Sequence, residues 1–248
     1  MKTVAIIQAR MGSTRLPAKV VKVIKGKTVL AHVVERVRAC PLLDDVVVAT
    51  TTAPSDDGIV ELAEGLGVNW FRGSEDDVLE RYYLAAKQYG ADVVVRITSD
   101  CPVFDPSVLA GMLARFGELR VNGAAPDYMS NFVKRTYPRG LDAEVFTFKA
   151  LEKAFESARL PHEREHVTAY IYQRPEEFSI HGYEGPEDLS RLRWTLDTQD
   201  DLKLIEELYA ALYKEGELFT TAQAVELIRQ RPELEGINAH VEQKKLGE

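Results

Sequence analysis

The sequence predicts an α/β fold: a mostly parallel, Rossmann-like sheet with helices on both faces, plus an extended arm. Three observations carry this. Continuous apolar runs of strand length recur at residues 4–7, 46–50 and 92–97, and strands apolar on both faces belong in a sheet covered on both sides. Segments with helical apolar spacing alternate with these runs. Capping and turn signals separate the two kinds.

Taken in order, Val4, Ala5, Ile6 and Ile7 make the first strand. Residues 28–39 set Val29, Leu30, Val33, Val34 and Val37 on one helical face, and the valines of 46–50 form the second strand. A short helix over 57–66 and a short strand over 68–71 follow. Ser74-Glu75-Asp76-Asp77 has the Ser-x-x-acid form of a capping box, which predicts a helix opening there and running to Tyr89. After the strand over 92–97, Asp105 as N-cap and Pro106 at the first helical position predict a helix over 107–116. Residues 127–148 read as extended chain broken at Tyr137-Pro138-Arg139-Gly140, giving an arm at about 124–147. Beyond it the pattern gives helices over 150–158 and 163–173, a strand over 178–183 and a short strand over 193–196. Thr198 to Asp201 then cap a long helix to about residue 214, and a last helix covers 221–230. Without a linker or an internal repeat, the chain reads as a single domain over 1–248, with a C-terminal helical segment at about 198–248.

Composition narrows the function. The 248 residues carry 31 Lys+Arg against 39 Asp+Glu, a net charge of −8, which argues against a general nucleic-acid binder. Cys40 and Cys101 are too few and too far apart for a disulfide framework, and neither lies in a zinc-ribbon pair. The first apolar stretch is shorter than a signal h-region, and no later run approaches the ~20 residues of a membrane span. These features predict a cytoplasmic protein, away from membranes.

The segment 8–19 is the most informative. Arg10, Arg15 and Lys19, with Gly12, Ser13 and Thr14 between them, follow the first strand, and open α/β sheets bind ligands at that end. Glycine lets backbone N–H groups approach an anion, hydroxyls donate further bonds, and cations neutralise phosphate. The dinucleotide fingerprint G-x-G-x-x-G is absent, and Gly26-Lys27-Thr28 is only half a Walker loop, with Val21 where its first glycine belongs. Gly26-Lys27 reads instead as the turn before the next helix.

Residues 9–19 resemble the A-R-x-x-S-x-R-L-P-x-K signature of the cytidylyltransferases that make CMP-activated sugar acids, the acylneuraminate and Kdo type. Within that family the chain is most similar to the spore-coat polysaccharide biosynthesis F-type proteins. Further matches lie at Arg72-Gly73-Ser74-Glu75-Asp76-Asp77, Arg96-Ile97-Thr98-Ser99-Asp100-Cys101-Pro102, Tyr137-Pro138-Arg139-Gly140-Leu141-Asp142 and Leu196-Asp197-Thr198-Gln199-Asp200-Asp201. The resemblance implies a fold of the nucleotide-diphospho-sugar transferase type, CTP and a sugar or sugar acid as substrates, Mg²⁺ as cofactor, and a homodimer. It implies that Arg15, Lys19 and Asp100 are catalytic, that Arg10, Gly12 and Ser13 hold phosphates, and that Gln8 and Ala9 line the base pocket. Thr50, Arg72 and Ser74 are the next candidates for base or ribose. Asp100 and Asp197 would share the metal, since Mg²⁺ takes one or two carboxylates with phosphate oxygens and water. Cys101 stands where the family usually has an acidic residue.

A sugar carboxylate needs a cation. Lys134, Arg135 and Arg139 suit it, or else belong to a charged arm that packs on a second subunit; Asp142 and Glu144 are candidates to receive sugar hydroxyls or to pair with those cations. His166 or Arg164 is a candidate to face the sugar. His162-Glu163-Arg164-Glu165-His166 fits H-E-x-x-H, but Pro161 directly before it marks a helix start, where a zinc-protease motif lies inside a helix. Another sugar nucleotidylyltransferase, a glycosyltransferase of the same fold and a non-catalytic nucleotide-binding module stay open. Asp76-Asp77 lacks the D-x-D spacing typical of the second.

Overall fold

The computed structural model describes residues 1–243. The first half alternates as expected, through β1 (Thr3–Gln8), the short strands β2 (Val23–Ile24) and β3 (Lys27–Thr28), α1 (Val29–Arg38), β4 (Asp45–Thr51), α2 (Asp57–Gly65), β5 (Asn69–Gly73), α3 (Val78–Gln88), β6 (Val93–Thr98) and α4 (Pro106–Val121). The second half adds β7 (Tyr128–Ser130), β8 (Glu144–Thr147), α5 (Phe148–Ser157), α6 (Pro161–Glu165), α7 (Ala169–Tyr172), β9 (Ile180–Gly182), α8 (Gln199–Leu212) and α9 (Thr221–Gln230). The sheet order is β5-β4-β1-β6-β8-β7-β9, and β8 alone runs against its neighbours. Gln8 at the end of β1 is level with Ala49 and Thr98, so three strand ends meet at one rim.

Both faces of the central strands are buried, which is why their sequences are continuous rather than alternating. On one face Ala5, Ile7, Val48, Val95 and Ile97 pack under α1 and α4. On the other, Val4, Ile6, Val47 and Val94 pack under α3 and α5 through Leu79, Tyr82 and Leu151. A third cluster joins Trp194 and Leu196 to α8 and α9. Each fully buried side chain of this size contributes about 1.5–3 kcal/mol.

Several elements differ from the expectation. The helix predicted from Ser74 starts three residues later, because Asp77 is its N-cap, accepting from the Glu80 N–H at 2.9 Å. Ser74 Oγ instead accepts the Asp77 N–H at 3.0 Å, closing the turn before the helix. The helix predicted over 163–173 is broken into α6 and α7 at Val167, whose φ of 58° is left-handed. Residues 193–196 form no strand and make a single bridge, Arg193 to Arg139. The segment predicted as an arm contributes β7 and β8 to the sheet itself; residues 131–143 connect them. Gly26 lies in the β2–β3 turn, where Lys25 and Gly26 both have positive φ, as a tight hairpin turn demands. Helix α4 runs to Val121, past the predicted end. Of the C-terminal segment expected over 198–248, residues 244–248 lie outside the described residues.

Candidate active site

The loop after β1 is fastened by backbone and by one buried acid. The Ala9 N–H donates to Ala49 O at 3.0 Å, and the Met11 N–H donates to Asp56 Oδ1 at 2.8 Å. Asp56, only 2% exposed, also accepts the hydroxyls of Thr51 at 2.5 Å and Thr50 at 3.3 Å. Ala18, at a left-handed φ of 52°, closes the loop by donating to Met11 O at 3.3 Å, which delivers Lys19 to the mouth of the sheet. Leu16 is buried beneath the loop while Arg10, Gly12 and Arg15 stay exposed above it. Ser13 Oγ accepts the Leu16 N–H at 3.4 Å.

Asp100 follows the end of β6, and its backbone carbonyl accepts the Leu196 N–H at 2.8 Å. That bond sets Asp197 opposite Asp100, though the two are far apart in sequence. Lys19 Nζ lies between them, 2.9 Å from Asp100 Oδ2 and 2.8 Å from Asp197 Oδ1. Burial would lower the Lys19 pKa, but the charges of Asp100 and Asp197 outweigh it and hold the ammonium up at about 12. Burial likewise works to raise the Asp100 pKa; the Lys19 charge and the Thr98 hydroxyl, 2.5 Å away, bring it below the usual carboxylate value. Asp197 also takes Arg15 at 2.9 Å and Arg193 at 3.0 Å. Behind it, fully buried Asp201 accepts from Arg193 at 2.9 Å, from the backbone N–H groups of Asp197 and Thr198, and from Asn238 at 2.8 Å. The sequence reading missed Arg193 and Asn238 and took Asp201 for a helix cap, which it also is.

The four residues on which the reading depended, Arg15, Lys19, Asp100 and Asp197, are therefore brought together. Other candidates make contacts of their own. Thr50 is buried against Asp56. Arg72 is spent on Thr51 O at 2.8 Å, Ala53 O at 2.9 Å and Asp57 at 2.6 Å, and Ser74 on Asp77. These three, expected against base or ribose, also hold the 51–57 loop and the mouth of α3: Arg72 donates to backbone carbonyls, Thr50 to the Asp56 carboxylate, and Ser74 accepts a backbone N–H. Among the described residues Arg10 makes only a 3.5 Å contact with Glu75.

On the β8 side, Arg135 pairs with Asp142 at 2.5 Å. Among the described residues the half-buried Arg139 guanidinium makes no hydrogen bond or ion pair; burial and the neighbouring charge of Arg135 lower its pKa. The His166 ring is likewise half-buried and unbonded among the described residues, and burial lowers its pKa. Glu163 of the H-E-x-x-H stretch is turned back onto the Arg159 and Leu160 N–H groups and Arg174. Arg164 is turned onto Asp77. Gln8 Oε1 accepts from Arg96 Nε at 3.2 Å, and Arg96 pairs with buried Glu144. A lone arginine inside the valine run of β6 was the visible signal for that pair.

No described helix is long and apolar enough to cross a membrane. A family model described as cytidylyltransferase matches residues 4–229. The chain is 31% identical to the spore coat polysaccharide biosynthesis protein SpsF of Bacillus subtilis, over 92% of this chain and 94% of that one. It is 30% identical to the 3-deoxy-manno-octulosonate cytidylyltransferase of Geobacter metallireducens, over 70% and 76%. The solved structure of a cytidylyltransferase from Leptospira borgpetersenii superposes with a TM-score of 0.89 at 36% identity, covering 99% of this chain and all of the other.

Proposed function

The chain belongs to the cytidylyltransferase family, and on that premise we propose that it joins CTP to a sugar acid, giving a CMP-sugar and pyrophosphate for a surface polysaccharide. One observation carries the reading: the cationic loop after β1 closes onto two carboxylates from distant segments, with Lys19 between Asp100 and Asp197.

In this reading the sugar hydroxyl oxygen attacks the α-phosphorus in line, its proton passes to solvent, the bond to the β-phosphate bridging oxygen breaks, and pyrophosphate leaves. Arg15 and Lys19 hold the phosphates, while Arg10, Ser13 and the exposed backbone at Gly12 border the nucleotide, with buried Ala9 at the base of the loop. Arg139 and His166 stand unengaged on the sugar side, with Arg135 and Asp142 beside them. Catalysis of this kind is positioning and charge stabilisation by groups already in place.

The donor set suits Mg²⁺. Asp100 and Asp197 already converge on one cationic centre, and two carboxylates completed by phosphate oxygens and water are what this ion takes. Cys101, whose thiol burial pushes up, supplies no further carboxylate there. Charge points the same way. Arg15, Lys19 and Arg193 are matched by Asp100, Asp197 and Asp201, so a polyphosphate arriving at this balanced centre calls for added positive charge. Bound between the carboxylates, Mg²⁺ would supply that charge at the reacting phosphates.

A pyrophosphate-release assay with Mg²⁺, each of the four nucleoside triphosphates and a panel of sugar acids and sugar phosphates tests the reading. Release is expected with CTP and a sugar acid. Release with only UTP or GTP, or with none, overturns it.

A further inference from the structure

Resting on that reading, we propose that Gln8 and Arg96 form a donor pair that receives the carboxylate of the acceptor sugar, and that buried Glu144 sets the pair. Arg96 sits in a strand otherwise built of valine, isoleucine and threonine, directly opposite Glu144 of β8. Glu144 is 2% exposed and accepts not only Arg96 but also the hydroxyls of Tyr128 at 3.2 Å and of Thr168. Buried ion pairs are poor stabilisers, since apolar residues of similar volume do as well or better. A pair kept at the rim of a ligand site therefore asks for a use.

Hydrogen-bond logic supplies one. Arginine has donors only, so the end of the Gln8 carboxamide that meets Arg96 Nε at 3.2 Å is its oxygen. The NH₂ end is turned away. Among the described residues neither Gln8 Nε2 nor Arg96 Nη2 donates to a protein group, and neither belongs to the buried unpaired atoms. Two donors thus stand side by side on adjoining strands, a complement to the two oxygens of a carboxylate.

Their place in the sheet sets Arg96 and Glu144 apart from the base and ribose candidates Thr50, Arg72 and Ser74 at the ends of β4 and β5. Asp56 and the 50–56 segment fasten the loop on the β4 side of β1, whereas Arg96, Glu144 and Thr168 lie on the β6 and β8 side. Gln8 is level with Thr98, whose hydroxyl bonds Asp100, so a sugar over this pair lies beside the phosphate-holding centre. In a 2-keto sugar acid the carboxylate is attached to the same carbon as the attacking hydroxyl. Holding the one orients the other.

The test is a titration in the presence of CMP, which cannot turn over. The probes are 3-deoxy-manno-octulosonate and N-acetylneuraminate, against the carboxylate-free sugars mannose and N-acetylmannosamine. The wild type is expected to bind at least one acid roughly tenfold or more tightly than the neutral sugars, the yield of a charge-assisted hydrogen bond. Gln8→Glu turns a carboxylate onto Arg96 and is expected to lose that preference while the melting temperature holds. The double variant Arg96→Met with Glu144→Leu removes both buried charges together and is expected to lose it too. Unchanged acid binding in Gln8→Glu, a loss of CTP affinity instead, or equal binding of acids and neutral sugars by the wild type overturns the proposal. Pyrophosphate release from CTP with a neutral sugar alone would sink the sugar-acid reading beneath it.

Discussion

At the scale of single residues, Lys19 is the hinge of the site, because one ammonium satisfies two carboxylates at 2.9 and 2.8 Å. Removing a preorganised contact of this type costs about 3 kcal/mol in the transition state, roughly a hundredfold in rate. Asp100→Asn, which keeps the side-chain shape, and Lys19→Ala are each expected to lose at least that much pyrophosphate release while circular dichroism shows them folded. A second residue answers to pH. His32 is buried, bonds Ile24 O at 2.8 Å and packs on Tyr209. Burial pushes its pKa below the ordinary 6.5, and the nearby Arg36 charge adds to that. The folded state thus resists a proton that the unfolded chain accepts, so this contribution is whole above pH ~6.5 and is lost as pH falls below it. Urea midpoints are expected to drop between pH 7.5 and 5.5, and His32→Gln to flatten part of that drop.

At the scale of elements, strands buried on both faces wrote themselves into the sequence as apolar runs, and β1, β4 and β6 were legible for that reason. The loop 8–19 was legible through its cations. What stayed hidden depended on partners distant in sequence. Strand β7 has three residues, too few for a period, and joins the sheet only because β8 and β9 flank it. Arg193 looked like part of a strand, yet it serves Asp197 and Asp201 from an irregular segment whose one β-bridge is to Arg139. That segment rests on Gly140, whose φ is 100° and whose missing Cβ would lie 2.5 Å from the Trp194 carbonyl carbon. Gly140→Ala is expected to cost at least about 2 kcal/mol in urea unfolding. It should weaken catalysis too, since Arg139 and Arg193 are the flanks of that contact.

At the scale of the whole molecule, the centre lies on a seam between the sheet and the α8–α9 cluster. Arg36 stitches the seam from α1, donating to Phe104 O at 3.1 Å and Phe219 O at 2.9 Å with its guanidinium over the Phe219 ring. Asn238 fastens the end of the described chain to Arg193 O and Asp201. The carboxylates facing one another across this seam are not left to repel, because a tethered lysine already stands between them. The protein thus carries its own counter-charge wherever it goes. Exhaustive dialysis against EDTA is therefore expected to silence pyrophosphate release and leave the melting temperature where it was: magnesium would be a reagent the protein borrows, not a rivet in its frame.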